Sequence, residues 1–232
     1  MFINGFDILW DEIDDYVADI KSIRSIDQFM FTKPVTFFCG ENGSGKSTLL
    51  EALAIKNGLN PEGGTRNYNF STYDSYSNLH KHMRLWRSRK PDWMYFLRAE
   101  SFYNVATKEM EYSGVFSERY HDQSHGQSFF SVLMKQTNKN GLYLLDEPEA
   151  ALSCQNQLAL LYLIQSCVKQ NCQFIIATHS PILLGFPNAQ ILSFDEDKVE
   201  EVDYKSTSSY QTMKLFLDRY DYFVEDIKEN EI

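Results

Sequence analysis

Three short runs of consecutive apolar residues stand out along the chain, and glycine or polar residues follow each of them. The runs are Val35–Cys39, 142–145 and Gln173–Ala177. Strands that are apolar on both faces are typical of parallel sheets with helices on either side. The pattern therefore predicts three buried strands in one parallel sheet.

Helical spacing of apolar residues appears between and around these runs. In 155–170, apolar residues occupy positions 158, 160, 161, 163, 164 and 168, which predicts a helix between the second and third strands. We also expect helices at 48–55 and 210–222, and a basic helix at 78–89. Strands that alternate with helices predict an α/β fold with a mostly parallel sheet and flanking helices. The stretch 57–77 is rich in Gly, Asn, Ser and Tyr, and we expect a long loop there.

The composition narrows the class of protein. Of the 232 residues, 43% are hydrophobic and 23% are charged, which excludes wholesale disorder and a coiled-coil rod. The 32 acidic and 22 basic residues give a net charge of −10, so general binding of polyanions is not expected. No apolar run reaches the length of a membrane helix, the acidic N-terminus does not resemble a signal peptide, and the four cysteines form no CxxC pair. We therefore expect one cytoplasmic domain that spans 1–232.

A glycine-rich motif follows the first strand directly. Residues 40–47 match the pattern G-x-x-x-x-G-K-[ST] and lie between a predicted strand and a predicted helix, as a phosphate-binding loop requires. Glycines let successive backbone N–H groups surround phosphate oxygens, and the helix N-terminus adds its positive end. The residues expected to bind nucleotide here are Gly40, Glu41, Asn42, Gly43, Ser44, Gly45, Lys46, Ser47 and Thr48. Lys46 would reach the β- and γ-phosphates, and Ser47 would be a ligand of Mg²⁺.

Acidic residues follow the second strand, and a histidine follows the third. We expect Asp146 to hold Mg²⁺ and Glu147 to act as the general base that activates water. Glu149, two residues further on, is either part of this site or a solvated side chain. His179 lies just after the third strand, where an imidazole is able to hydrogen-bond a γ-phosphate.

Taken together and in this order, these motifs resemble those of the ABC-type ATPases, a class that includes ABC transporters and SMC-, RecF- and OLD-type proteins. The resemblance spans 35 to about 194. Family members carry a signature loop before the acidic strand, and Ser124, Gly126 and Gln127 match that loop here, although a polar loop that starts a helix is the alternative. The resemblance implies a small helical subdomain at about 75–135, ATP and Mg²⁺ as ligands, and a homodimer in which each signature loop contacts the partner's ATP.

The chain also departs from the transporter pattern. Ser153 stands where transporters have an aspartate, and 149–153 resemble the soluble RecF- and OLD-like proteins more closely. No transporter-type glutamine is evident, and Glu100 is the candidate substitute. Tyr16 is either the aromatic residue that stacks on adenine or a core residue.

Three functions share this chemistry. The first is a soluble ATPase in DNA repair or phage defence, which would need either a DNA contact through the basic helix at 78–89 or a protein partner. The second is the ATP-binding subunit of an ABC membrane transporter. The third is an interaction protein in which ATP is only structural, and the complete set Lys46, Asp146, Glu147 and His179 argues against it.

Overall fold

A computed structural model of the chain describes residues 1–65, 76–98, 137 and 139–229. Nine strands lie in these residues. They are β1 (Ile3–Ile8), β2 (Gln28–Met30), β3 (Val35–Cys39), β4 (Met83–Arg87), β5 (Trp93–Arg98), β6 (Gly141–Asp146), β7 (Gln173–Ala177), β8 (Gln190–Ser193) and β9 (Glu200–Glu201). The three apolar runs of the sequence are the fully buried strands β3, β6 and β7, as predicted.

The larger sheet has six strands in the order β5-β6-β7-β3-β8-β9. Its first five strands are parallel, and β9 pairs antiparallel with β8. Neighbouring side chains of a strand point to opposite faces, and both faces are buried here. Leu144 packs in the core on one face, whereas Tyr143 and Leu145 pack in the core on the other. The predicted parallel α/β sheet is therefore confirmed.

Helices cover both faces of this sheet. They are α1 (Lys21–Arg24), α2 (Lys46–Lys56), α3 (Leu79–His82), α4 (Cys154–Val168), α5 (Pro181–Leu184), α6 (Ser208–Asp218) and α7 (Tyr220–Glu229). Leu53 of α2 belongs to the core on one face, and Leu160 of α4 belongs to the core on the other. The helices predicted at 48–55 and 155–170 are thus confirmed as α2 and α4, with ends that differ by one or two residues.

The C-terminal helices α6 and α7 lie on the outside of the molecule. The single helix predicted at 210–222 is wrong in extent, because the chain leaves helical geometry at Arg219 (φ −129°, ψ 32°) and a second helix begins at the next residue. No residue of α6 or α7 is buried. In the part of the chain that the structure describes, no helix combines the length and apolar character that a membrane span requires.

A second sheet, antiparallel and in the order β2-β1-β4, was not predicted. It packs on the α2 side of the larger sheet, where Phe6 and Met83 share a core with Leu53. Its strand β4 lies within 78–89, so the predicted basic helix is wrong beyond the four residues of α3. The physical reason is long-range pairing with β1. If this stretch were helical, the backbone groups along that edge of β1 would lose their hydrogen-bond partners.

Three arginines of this region contact neighbouring parts of the protein. Asp7 of β1 accepts hydrogen bonds from Arg84 (Nε, 3.1 Å) and Trp86 (Nε1, 2.8 Å). Arg87 donates to the carbonyl oxygen of Lys56 at 3.0 Å. The Arg89 guanidinium lies 4.6 Å from the centre of the Phe2 ring. These arginines therefore contact the protein itself and do not line one face of a helix.

The helical subdomain expected at about 75–135 is described only over 76–98. That part contains β4 and β5, and β5 is an edge strand of the six-stranded sheet. The described part of the expected insertion therefore belongs to the two sheets. The predicted signature loop lies outside the described residues.

Candidate functional site

The predicted site residues converge at one edge of the six-stranded sheet. Strands β6, β7 and β3 are parallel neighbours, with Asp146 in register with Ala177, and Ala177 in register with Phe38. The phosphate loop follows β3, Glu147 follows β6, and His179 lies two residues beyond β7. The carboxyl ends of parallel strands are where α/β proteins bind ligands.

The loop between β3 and α2 has an unusual backbone. Its three glycines Gly40, Gly43 and Gly45 have φ values of 136°, 79° and 97°. At Gly45 an added Cβ would lie 2.7 Å from the side chain of Ile23, so both the conformation and the close approach require glycine. Helix α2 begins at Lys46, and its first N–H groups therefore face the loop, where they favour an anion.

The Lys46 side chain is folded into this loop and is 4% exposed. Its ammonium group donates hydrogen bonds to the carbonyl oxygens of Gly40 (2.9 Å) and Glu41 (2.6 Å). Burial lowers the pKa of Lys46, while the carboxylates of Glu147 and Asp146 oppose that shift. Anionic phosphate oxygens bind an ammonium group more strongly than neutral carbonyl oxygens do. Lys46 is therefore held where it is ready to exchange these contacts for a phosphate.

Two oxygen donors meet at the start of α2. The Ser47 hydroxyl donates a hydrogen bond to Oδ1 of Asp146 at 2.8 Å, and Asp146 is only 6% exposed. Hydroxyl and carboxylate oxygens are ligands that Mg²⁺ accepts, together with phosphate oxygens and water. The donor set therefore fits a magnesium ion beside the phosphate loop.

Glu147 has a left-handed backbone (φ 47°, ψ 51°) and its N–H donates to the carbonyl oxygen of Ala177 at 2.9 Å. This conformation costs a non-glycine residue about 1–2 kcal/mol, and such strain clusters at functional sites. Its Oε1 atom lies 3.5 Å from Nε2 of His179. Both side chains are partly exposed, although Nε2 of His179 itself is buried and makes no hydrogen bond with the residues that the structure describes.

Two further carboxylates touch the site. Oε1 of Glu149 accepts the backbone N–H of His179 at 2.6 Å, so this side chain is tied to the segment after β7 and is not simply solvated. Oδ1 of Asp195 accepts the backbone N–H of Glu41 at 3.1 Å, and sequence reasoning missed this residue. Recognition of β8 as a neighbour of β3 would have placed Asp195 at the same sheet edge.

Comparisons with known proteins agree with this geometry. The model of the family described as "AAA domain" matches residues 17–84, and that described as "AAA ATPase domain" matches residues 125–184. An uncharacterized ABC transporter ATP-binding protein of Haemophilus influenzae is 27% identical over 183 residues, which cover 68% of each chain. The cytochrome c biogenesis ATP-binding export protein CcmA of Rhizobium etli is 30% identical over 171 residues, which cover 66% of this chain and 78% of that protein. The chain belongs to the family of ABC ATP-binding proteins.

Members of the AAA and ABC families are P-loop ATP hydrolases, and the chain is therefore an ABC-type ATPase. Among solved structures, the SMC head domain from Thermotoga maritima superposes with a TM-score of 0.45 at 14% identity, over 87% of this chain and 98% of that chain. The strand order and the phosphate loop of this ABC ATPase show its fold.

Among the described residues of this ABC ATPase, the structure brings together those that the sequence singled out for phosphate, metal and water. The phosphate loop, Asp146, Glu147 and His179 lie at one sheet edge. The signature residues Ser124, Gly126 and Gln127, and the candidate Glu100, lie outside the described residues. Tyr16 is 53% exposed, so the core alternative for this residue is wrong.

Proposed function

We propose that this ABC ATPase hydrolyses ATP with Mg²⁺ at the carboxyl edge of its six-stranded sheet. The observation that carries the proposal is the 2.8 Å hydrogen bond between Ser47 and Asp146. It joins the first turn of the phosphate-loop helix to the end of β6, beside the buried Lys46. The arrangement places an ammonium group, an oxygen donor pair and free helix N–H groups around one point, as a bound triphosphate requires.

Each residue of the site has a distinct role in the proposal. The loop 40–48 surrounds the phosphates, and Lys46 contacts the β- and γ-phosphates. Ser47 and Asp146 hold Mg²⁺, and the bound ion supplies charge neutralisation at the phosphate oxygens. Mg²⁺ at this place fits the donors present, because both contribute oxygen atoms.

Glu147 acts as the general base of the reaction. Its carboxylate takes a proton from water while the water oxygen forms a bond to the γ-phosphorus and the bond from that phosphorus to the bridging oxygen breaks. ADP and inorganic phosphate are the products. His179, 3.5 Å from Glu147, hydrogen-bonds the γ-phosphate and orients the carboxylate. The strained backbone of Glu147 supports a catalytic role for this side chain.

We further propose that the active unit is a homodimer. In the ABC-type arrangement, Ser124, Gly126 and Gln127 of one copy contact the γ-phosphate bound to the other copy, and two nucleotides are enclosed between two chains. One chain carries one phosphate loop, so twofold symmetry supplies the second site. ATP closes this dimer and hydrolysis opens it, and the motion is the output.

Two processes are candidates for what the motion drives. A soluble role in DNA repair or phage defence is favoured by the sequence 149–153, which resembles RecF- and OLD-like proteins. The role of a transporter's ATP-binding subunit is favoured by the relatives from Haemophilus influenzae and Rhizobium etli, which are named as a transporter ATP-binding protein and an export protein. Direct DNA binding through residues 78–89 loses support, because the arginines there contact Asp7, Lys56 and Phe2.

Steady-state ATP turnover by the purified chain tests the proposal. The turnover is expected to require Mg²⁺, to disappear when the ion is chelated and to disappear in the Lys46→Ala variant. The same assay with linear duplex DNA separates the two processes, since stimulation supports the soluble role with DNA. Unchanged turnover with DNA supports a protein partner, as in a transporter. Turnover that survives both chelation and Lys46→Ala would overturn the proposed site.

A further inference from the structure

The backbone of His179 is tied to the turn that follows β6. The N–H of His179 donates to Oε1 of Glu149 at 2.6 Å, across 30 positions of sequence. A hydrogen bond from an amide to a carboxylate is shorter and about twice as strong as one between neutral groups. This contact therefore holds the segment after β7 against the turn after β6.

The second carboxylate oxygen of Glu149 lowers the stability of the fold. Oε2 is buried and accepts no hydrogen bond from any residue that the structure describes. A buried, unsatisfied oxygen of a charged group typically costs a few kcal/mol or requires a functional explanation. The charge-assisted hydrogen bond from the His179 N–H to Oε1 offsets part of this cost and keeps the carboxylate in its buried position.

The geometry of the turn links Glu149 rigidly to Glu147. A single 3₁₀ turn, Pro148–Ala151, follows Glu147, and the N–H of Ala150 donates to the carbonyl oxygen of Glu147 at 3.0 Å. Pro148 fixes its own φ angle in this turn. The backbones of the two glutamates are therefore held in one turn, and both side chains reach the same histidine: Glu149 contacts its backbone and Glu147 its ring.

The residues on either side of His179 are held by other elements. The N–H of Thr178 donates to the carbonyl oxygen of Phe38 at 3.0 Å. The Ser180 hydroxyl donates to Oε1 of Gln157 at 2.6 Å and caps α5. Thr178 and Ser180 are thus held by other elements, and the Glu149 carboxylate holds the backbone N–H of His179 between them.

We propose that Glu149 is a positioning residue that sets the His179 ring against Glu147 by holding the His179 backbone. The inference rests on the proposed role of Glu147 and His179 in hydrolysis. It assigns no contact between Glu149 and the nucleotide, so Glu149 affects the rate of the chemical step and leaves nucleotide binding by the phosphate loop unchanged. The side chain acts entirely through His179.

The test compares Glu149→Ala and Glu149→Gln in the full chain, with Glu225→Ala on the exposed helix α7 as the matched control. Glu149→Ala is expected to lower kcat about 10-fold and to leave KM for ATP within about twofold, because the phosphate loop keeps its contacts. Glu149→Gln retains an acceptor oxygen and is expected to keep kcat within about threefold of the wild type. Glu225→Ala is expected to match the wild type.

A double-mutant cycle then asks whether Glu149 acts through His179. In a His179→Ala background, Glu149→Ala is expected to cause no further loss, because coupled residues are not additive. Losses that multiply would overturn the proposal. If His179→Ala alone has the activity of the wild type, the proposed role of His179 fails instead.

NMR of isotope-labelled protein gives a readout that needs no turnover. The amide proton of His179 is expected far downfield in the wild type and in Glu149→Gln, and shifted upfield in Glu149→Ala. The ring resonance of His179, assigned with His179→Ala, is expected to respond to Glu147→Gln in the wild type but not in the Glu149→Ala background. An unchanged amide, or an unchanged ring response, would overturn the positioning role even if the chain hydrolysed no ATP by itself.

Discussion

The hydroxyl of Ser47 and the carboxylate of Asp146 are 99 positions apart in the sequence and are joined by a hydrogen bond of 2.8 Å. A second contact lies one turn further along α2, where Glu51 and Arg98 form an ion pair of 2.6 Å. Arg98 is in register with Asp146 on the neighbouring strand. The phosphate-loop helix is thus fastened at two points to the ends of β5 and β6, which holds the nucleotide site together.

Replacement of Lys46 by Ala is expected to weaken ATP binding at least about 10-fold, because the ammonium group makes charge-assisted contacts to phosphate. Equilibrium titration with a fluorescent ATP analogue measures the change. Lys56→Ala, at the other end of the same helix, is the control and is expected to bind like the wild type. Equal affinity in Lys46→Ala and the control would contradict the assignment of the phosphate loop.

Replacement of Glu147 by Gln is expected to lower kcat about 10²- to 10⁴-fold, since the amide does not accept the proton from water. Binding of ATP is retained, so the closed dimer is expected to accumulate. Light scattering during size-exclusion chromatography with ATP and Mg²⁺ detects it as a doubled mass. The Glu147→Gln/Lys46→Ala double variant, which lacks the phosphate contact, is expected to stay monomeric. A monomer in both variants would contradict the nucleotide-sandwich arrangement.

Replacement of Arg98 by Met removes the cation beside the mostly buried Glu51. Burial raises the pKa of Glu51, and Arg98 opposes that shift. In the variant the pKa of Glu51 in the folded state rises further above its value in the unfolded state. A carboxyl group with a raised folded-state pKa stabilises the fold at low pH, and this contribution is lost as the pH rises through that pKa. We therefore expect a loss of roughly 1–3 kcal/mol near neutral pH that shrinks towards about pH 4.

Urea unfolding of wild type and variant at both pH values measures this difference, and Arg219→Met at an exposed position is the control. A Glu51→Gln/Arg98→Met double variant lacks both the carboxylate and the cation of this ion pair, so it contains no unpaired carboxylate at this position. The double variant is therefore expected to show no shrinkage of its loss at acidic pH. A loss in Arg98→Met that is equal at both pH values would show that the ion pair does not control the pKa of Glu51.

The cysteines give a test of the packing. Cys154 is exposed, whereas Cys39, Cys167 and Cys172 are buried. Burial also raises the pKa of Cys39 to about 12, which suppresses its thiolate. A disulfide reagent such as Ellman's is therefore expected to react quickly with one thiol in the native chain and with four after denaturation. The fast reaction is expected to be absent from Cys154→Ser, and a second fast thiol would contradict the packing around α4 and β7.

Local signals were sufficient for much of the fold and the site. The strands β3, β6 and β7 followed from apolar runs, because a strand buried on both faces is mostly apolar; Thr36 and Gln173 are the buried polar exceptions in β3 and β7. The phosphate loop followed from glycine spacing between a strand and a helix, because only glycine accepts positive φ there without strain. Glu147 and His179 followed from their places directly after such strands.

Long-range contacts decided the rest, and these leave no mark in a local window of sequence. The stretch Met83–Arg87 forms a strand because β1 pairs with it across 75 to 84 positions, while its own residues suggested a helix. The contacts of Glu149 and Asp195 depend on which strand lies beside which, and apolar patterning alone does not determine strand order. The residue types along the chain therefore set the chemistry that each segment carries. Which of these groups meet is a property of the fold, because each contact forms between backbone and side chains that are distant along the chain.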